Sequence, residues 1–205
     1  MPTSVRIAPG AIHYPGYLDR AAQAALVEVL REALQRAPLF TPRMPRTGKP
    51  FSVRMTNLGA LGWVSDATGY RYQANHPDTG APWPEMPDTL IAVWRELAPE
   101  APLPEACLVN YYDAGARMGL HQDRDEQQLS APVVSLSLGD SALFRIGGDT
   151  RGAPTRSFRL QSGDAFVFGG PARLAFHGVD RIYPSTSTLL AKGGRINLTL
   201  RRVNL

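Results

Sequence analysis

Only one cysteine, Cys107, occurs in the 205 residues, so no internal disulfide framework can staple this fold. Cys107 sits in an apolar run and reads as a buried, inert thiol. No apolar stretch approaches the roughly 20 residues that a membrane-spanning helix needs. The opening residues, MPTSVRIAPG, lack the layout of a signal peptide. Internal repeats and low-complexity segments are missing as well. These absences argue against a secreted, disulfide-rich scaffold and against a membrane span. They leave an expectation of a monomeric cytoplasmic protein of one domain, residues 1–205, long enough to bury its own core.

Charge of one sign is also missing locally. Residues 33–65 contain no acid, yet carry Arg36, Arg43, Arg46, Lys49 and Arg54. Over residues 72–116 the balance reverses, with seven acids against Arg95 alone. The net charge of +4 is modest, but so uneven a distribution points to a polyanion on one side of the molecule.

The chain divides into a mixed first half and a β-rich second half. Asp19 is placed to cap a helix with Ala22, Leu26, Val29, Leu30, Ala33 and Leu34 on one face, stopped by Pro38. A second helix is expected from Asp88, with Leu90, Val93, Trp94 and Leu97 inward, ending at Pro99. Between the two helices, strands are expected over 52–57 and 70–73, and residues 41–50 read as an exposed, mobile loop. From Cys107 onward, short strands are expected over 108–112, 133–138, 143–146, 157–160, 165–168 and 195–202. Glycine-bearing turns separate them, which argues for a sandwich or jelly-roll barrel.

Chemistry concentrates at three places. His121 and Asp123, two residues apart on a strand, would share a face and could grip one metal ion, with His177 as a distant third ligand. Two imidazoles and a carboxylate on one face leave the opposite face open, which suits ferrous iron and oxygen chemistry; catalytic zinc uses similar sets. In the last strand Arg195, Asn197, Thr199 and Arg201 alternate with Ile196, Leu198 and Leu200. If the polar face lines a barrel, each arginine needs an anion, and a dicarboxylate would offer one to each. Asn110 and Tyr112 share a face of another strand and could donate further hydrogen bonds.

The segments Asn110-Tyr-Tyr-x₈-His121-Gln-Asp123-Arg-Asp125-Glu126, Ala131-Pro-Val-Val-Ser-Leu-Ser-Leu-Gly139, His177-Gly and Arg195-Ile-Asn-Leu-Thr-Leu-Arg201 together resemble the AlkB family of alkylation-repair dioxygenases. Met55-Thr-Asn-Leu-Gly-Ala-Leu-Gly-Trp63 and Pro82-Trp-Pro-x-Met-Pro87 resemble its bacterial members, so the likeness covers nearly the whole chain. It implies an α+β, mainly β fold: a double-stranded β-helix (jelly-roll) core over residues 107–205, with N-terminal helices and a nucleotide-recognition lid in residues 1–106. It also implies Fe(II) held by His121, Asp123 and His177, with 2-oxoglutarate and O2 as cosubstrates. In the same reading Arg195 and Tyr112 would bind the distal carboxylate of 2-oxoglutarate. Arg201, Asn110 and Asn197 would lie near its chelating end. Trp63 and His121 would sandwich a target base beside Asp125, Met55 would also line the substrate site, and Tyr70 and Arg151 would contact nucleic acid.

The implied reaction is oxidative demethylation of 1-methyladenine and 3-methylcytosine, releasing formaldehyde, succinate and CO2. Alkylated DNA would be taken single-stranded or with its base flipped out, and RNA is a second candidate polymer. Two alternatives stand beside it: a 2-oxoglutarate oxygenase acting on a protein or small molecule, and a non-catalytic nucleic-acid-binding module. The proline-rich, basic loop 41–50, with Lys49, and the segment 147–156 depart from the family pattern and bear on substrate preference.

Overall fold

The computed structural model describes residues 3–205; Met1 and Pro2, the first residues of the stretch read as lacking a signal peptide, lie outside them. In chain order the strands are β1 (Val5–Ala8), β2 (Ala11–Tyr14), β3 (Arg54–Gly59), β4 (Gly62–Asp66), β5 (Gly69–Gln73), β6 (Ala106–Tyr112) and β7 (Met118–His121). They continue as β8 (Val133–Gly139), β9 (Ser141–Ile146), β10 (Arg156–Leu160), β11 (Ala165–Phe168), β12 (His177–Tyr183) and β13 (Arg195–Arg201). The helices are α1 (Arg20–Arg36) and α2 (Asp88–Leu97).

Two antiparallel sheets face each other as a jelly roll. The larger runs β1-β2-β11-β8-β13-β6-β3 and the smaller β10-β9-β12-β7, while β4 and β5 form a separate hairpin. One apolar core, with Leu108, Tyr112, Phe144, Ile146, Phe166, Phe168, Val179 and Ile182, fills the space between the sheets. A second joins the outer face of the larger sheet, through Cys107, Val109, Leu136, Leu198 and Leu200, to both helices. The alternation along β13 therefore resolves inward for its polar residues and outward for its aliphatic ones, toward the helices. Burial pushes the Cys107 thiol up to about 12, which makes it inert as expected.

Helix α1 begins as its cap requires, with the Asp19 side chain accepting from the Ala22 N–H at 2.8 Å. Its buried face is Gln23, Leu26, Val27, Leu30 and Ala33, so Ala22, expected inward, is exposed instead. Gln23 turns in because its amide donates to the Leu18 carbonyl and accepts from the Ser162 hydroxyl. Helix α2 buries Leu90, Val93 and Trp94 as expected, with Leu97 half-buried.

Strands β1, β2, β4, β7 and β12 lie outside the segments expected from sequence. They are short, half-polar or, in β12, broken by a bulge, so no period of two announces them. The N-terminal residues do more than cover the barrel: β1 and β2 extend one edge of the larger sheet and β3 the other. Loop 41–50 is exposed, yet its backbone is hydrogen-bonded to itself, Met44 N–H to the Lys49 carbonyl and Gly48 N–H to the Met44 carbonyl. Reciprocal bonds between Arg43 and Ser65 tie it to β4.

Candidate active site

One end of the barrel gathers the polar residues. The cross-strand register sets His177, the first residue of β12, opposite His121, the last of β7. Gly178 follows because strand β7 passes too close for a side chain: a Cβ there would lie 2.5 Å from the Met118 carbonyl oxygen. Asp123 was expected on the same strand as His121, but β7 has ended by then and Asp123 lies in the loop beyond it. The turn of that loop, rather than strand alternation, aims its carboxylate at both rings.

The resulting geometry suits a metal ion. Donor atoms of His121, Asp123 and His177 lie within 4.8 Å of one another. The Asp123 oxygens are 3.6 Å from His121 Nε2 and 3.7 Å from His177 Nε2. Each imidazole uses its Nδ1 on a backbone carbonyl two residues earlier, Gly119 for His121 and Ala175 for His177, both at 2.9 Å. That fixes Nδ1 as the protonated nitrogen and leaves each Nε2 lone pair free to coordinate. Burial, and then the neighbouring His121, push His177 down to about 4, so it is neutral at physiological pH. Burial would raise Asp123, but Arg201, His177 and His121 outweigh it and hold the carboxyl ionised, well below its usual range. Two imidazole Nε2 donors and one carboxylate, converging on one side, fit ferrous iron.

Behind Asp123 stands a buried ionic network that the sequence did not announce. Arg201 donates to Asp123 Oδ2 at 2.8 Å and lies 3.4 Å from Glu126 and 3.1 Å from the Tyr72 hydroxyl. Arg173, 3% exposed, donates to the Asp123 carbonyl, the Ala131 carbonyl and the Glu126 carboxylate. It sits after a Gly-Pro-Ala turn with no period or motif to mark it. Tyr72 gives its hydroxyl to Glu126 and belongs to this network.

The two arginines of β13 differ sharply. Arg201 finds anions inside the protein, in Asp123 and Glu126, while its buried Nε keeps no partner. Arg195 finds none. It is 1% exposed, donates to the Ser137 hydroxyl at 2.7 Å, and otherwise reaches only carbonyls at 3.3 and 3.5 Å. Its Nε has no partner, and burial pushes it down to about 10. Ser135 and Ser137 could have been read from the alternation of β8, where they oppose Thr199 and Asn197. Asn197 is held by Ser135, and the buried Asn110, opposite Asn197 across β6, leaves its Oδ1 unpartnered. Tyr112 lies opposite Arg195, and burial pushes its hydroxyl up to about 12. An unpaired guanidinium with free polar atoms nearby is a cradle for a carboxylate.

The remaining site residues fall at different depths. Trp63, on β4, donates from Nε1 to Asp125 Oδ2 at 2.8 Å and stacks on the exposed Tyr70 ring at 5.6 Å and 17°. The side chain of Asn57 brackets the Trp63 backbone, fixing β4 to β3. Arg151 is exposed on the loop after β9, with its guanidinium over the Phe176 ring. Met55 is 1% exposed, packed in the inner core beside Asn110, and presents no surface at the mouth.

The sequence matches the 2OG-Fe(II) oxygenase superfamily over residues 10–201. It is 59% identical over 197 residues to the alpha-ketoglutarate-dependent dioxygenase AlkB homolog of Caulobacter vibrioides, an alignment covering 96% of this chain and 89% of that one. Against the alpha-ketoglutarate-dependent dioxygenase AlkB of Escherichia coli the identity is 37%, over 96% and 91% of the two chains. The solved structure of OsALKBH1 superposes with a TM-score of 0.85 at 31% identity, covering 98% of this chain and all of that one. A likeness that covers nearly the whole chain, in sequence and in fold, places it in the AlkB family of 2OG-Fe(II) oxygenases, dioxygenases that use Fe(II), 2-oxoglutarate and O2.

Proposed function

We propose that the protein repairs alkylated nucleic acid by oxidative demethylation, with 1-methyladenine and 3-methylcytosine in single-stranded DNA, or in a flipped-out base, as its preferred lesions. RNA carrying the same lesions is a second substrate. Among curated relatives, one from Arabidopsis thaliana is named a DNA N(6)-methyladenine demethylase and one from Schizosaccharomyces pombe a tRNA demethylase.

The observation that carries the reading is the hydrogen bond from the Trp63 indole to Asp125, two residues beyond the metal ligand Asp123. It sets a flat aromatic surface and a carboxylate side by side at the metal. Trp63 gives a base a stacking face, with His121 as the opposite wall, and Tyr70 extends the aromatic surface outward. Asp125 favours a base that carries positive charge, as N-methylated adenine and cytosine do, over the neutral unmodified base. Arg195, with Tyr112 beside it, takes the distal carboxylate of 2-oxoglutarate, and Asn110, Asn197 and Arg201 border the chelating end. Arg201 and Arg173 hold Asp123 in place. Fe(II) held by His121, Asp123 and His177 would activate O2, one oxygen atom going to succinate as 2-oxoglutarate loses CO2 and the other to the methyl carbon, which leaves as formaldehyde.

The test is formaldehyde release from oligonucleotides bearing 1-methyladenine or 3-methylcytosine, with and without 2-oxoglutarate and Fe(II). Release dependent on both supports the reading. Conversion of 2-oxoglutarate with no formaldehyde from any of them refutes it.

A further inference from the structure

The two sheets are treated unequally. Helices α1 and α2 cover the outer face of the larger sheet. Among the described residues, no helix covers the outer face of the smaller one. Its inward residues, Phe144, Ile146, Val179 and Ile182, fill the core, so the residues between them face outward.

That outward face is cationic. Arg145, Arg159 and Arg181 stand on it against one acid, Asp180, and no lysine. Arg159 on β10 and Arg181 on β12 lie opposite Leu143 from its two sides. Their backbones are therefore about two strand spacings, or ~9.6 Å, apart. Both are exposed and neither has an acidic partner among the described residues. Asp180 is already engaged by Arg145 at 2.8 Å. Arg159 is laid over the Tyr183 ring at 4.2 Å, which holds the guanidinium flat on the sheet.

Protection of a sheet edge does not explain this. Charge on the edge strand β10 would serve that purpose, but Arg181 lies on β12, between β9 and β7. An ordinary solvated face would also mix the signs. Position suggests a use instead. Edge strand β7 is entered through Arg117, whose carbonyl and N–H both bond the Ser52 hydroxyl, just past the basic loop of residues 41–50. Arg117 thus carries the positive charge that follows that loop to the edge of the open sheet.

We propose that the outer face of the smaller sheet is a second nucleic-acid contact, on which Arg159 and Arg181 hold the sugar-phosphate backbone of the substrate strand beyond the nucleotide in the active site. The proposal rests on the nucleic-acid reading above. Planar guanidinium pairs with phosphate bidentately and without reading sequence, so the contact adds affinity for length rather than for lesion.

The experiment compares the parent with the double variant Arg159→Gln, Arg181→Gln, both Fe(II)-loaded and kept free of oxygen. The equilibrium binding of a 20-nucleotide strand carrying one 3-methylcytosine is measured across a salt series. Turnover of a methylated trinucleotide is measured separately. Two lost phosphate contacts lower the slope of log K against log salt by about 1.4 for a single strand, and raise Kd on the order of tenfold at 0.1 M salt. Trinucleotide turnover is expected to stay unchanged, since so short a strand cannot span both places. An unchanged slope overturns the proposal. So does an equal loss on both substrates, which would locate the effect in the active site, or an unchanged slope with lost binding of an acidic protein. Binding is read without turnover, so a parent that binds DNA but releases no formaldehyde refutes demethylation alone.

Discussion

Replacing Arg195 with Met should make the protein without 2-oxoglutarate more stable and its binding of 2-oxoglutarate much weaker. The guanidinium is buried with no anion bonded to it, and burial pushes it down from the ordinary arginine range to about 10. That difference corresponds to about 3 kcal/mol of destabilisation. The sign follows from proton linkage. At neutral pH the folded and unfolded chains both bind the proton, so the whole cost is present. It is relieved only as pH rises past about 10 toward the ordinary arginine range, where the unfolded chain holds more protons than the folded one. Methionine keeps the apolar stem and removes the charge. The hydrogen bond to Ser137 is lost at a cost of about 1 kcal/mol, leaving a net gain of about 2 kcal/mol, or roughly 4–8 °C in Tm for a domain of this size.

Arg201, on the same face of the same strand, supplies the control. Its guanidinium pairs with Asp123 and Glu126, so Arg201→Met strands two buried carboxylates and should destabilise the protein by about 3–5 kcal/mol. For 2-oxoglutarate the loss at Arg195 is that of one partner in a buried ion pair, about 3 kcal/mol, or on the order of a hundredfold in Kd. Thermal unfolding with and without 2-oxoglutarate, in the presence of metal and absence of oxygen, reads both effects, and calorimetric titration gives the Kd. The reasoning is refuted if Arg195→Met melts below the parent without ligand, or if 2-oxoglutarate raises the Tm of both by the same amount.

Trp63→Phe keeps a stacking ring but removes the donor to Asp125, whereas Trp63→Ala removes both; kcat/KM on a methylated strand should fall modestly for the first and by a further ~1–3 kcal/mol equivalent for the second. Equal losses would mean that the ring face is not used. The metal-free protein should lose stability as pH drops from 6.5 toward about 4, by up to about 3 kcal/mol, because the unfolded chain protonates His177 where the folded chain does not. His177→Gln should flatten that slope in an acid series of melting curves. In Gly178→Ala the added carbon meets the Met118 carbonyl at 2.5 Å, forcing β12 from β7 beside both imidazoles, so Fe(II) affinity measured by titration should drop at least tenfold.

Period two along the chain identified the strands that matter most. β13 was legible because it alternates cleanly and β6 because Asn110 and Tyr112 stand two apart at the end of an apolar run, and that spacing placed Arg195, Asn197, Arg201, Asn110 and Tyr112 toward a common interior. What alternation cannot express is the partner across the space. It treated the two arginines of β13 alike, since both lie on one face. The structure separates them because Asp123 and Glu126 come from a loop with no period at all, and they stand at the Arg201 end. The same gap explains Asp123, which reaches the metal position by a turn rather than by strand geometry, and Arg173, whose three bonds all go to residues 42 to 50 positions away. It explains Met55 in reverse: the motif carrying it was readable, but its neighbours across β6 seal it in the core. In the proposed function, the charge that meets the cosubstrate is the one the fold leaves uncompensated. Arg195 stands at the opposite end of the face from Asp123 and Glu126, and that separation along one strand leaves the inner network to hold Asp123 and the lone guanidinium to meet the carboxylate of the proposed cosubstrate.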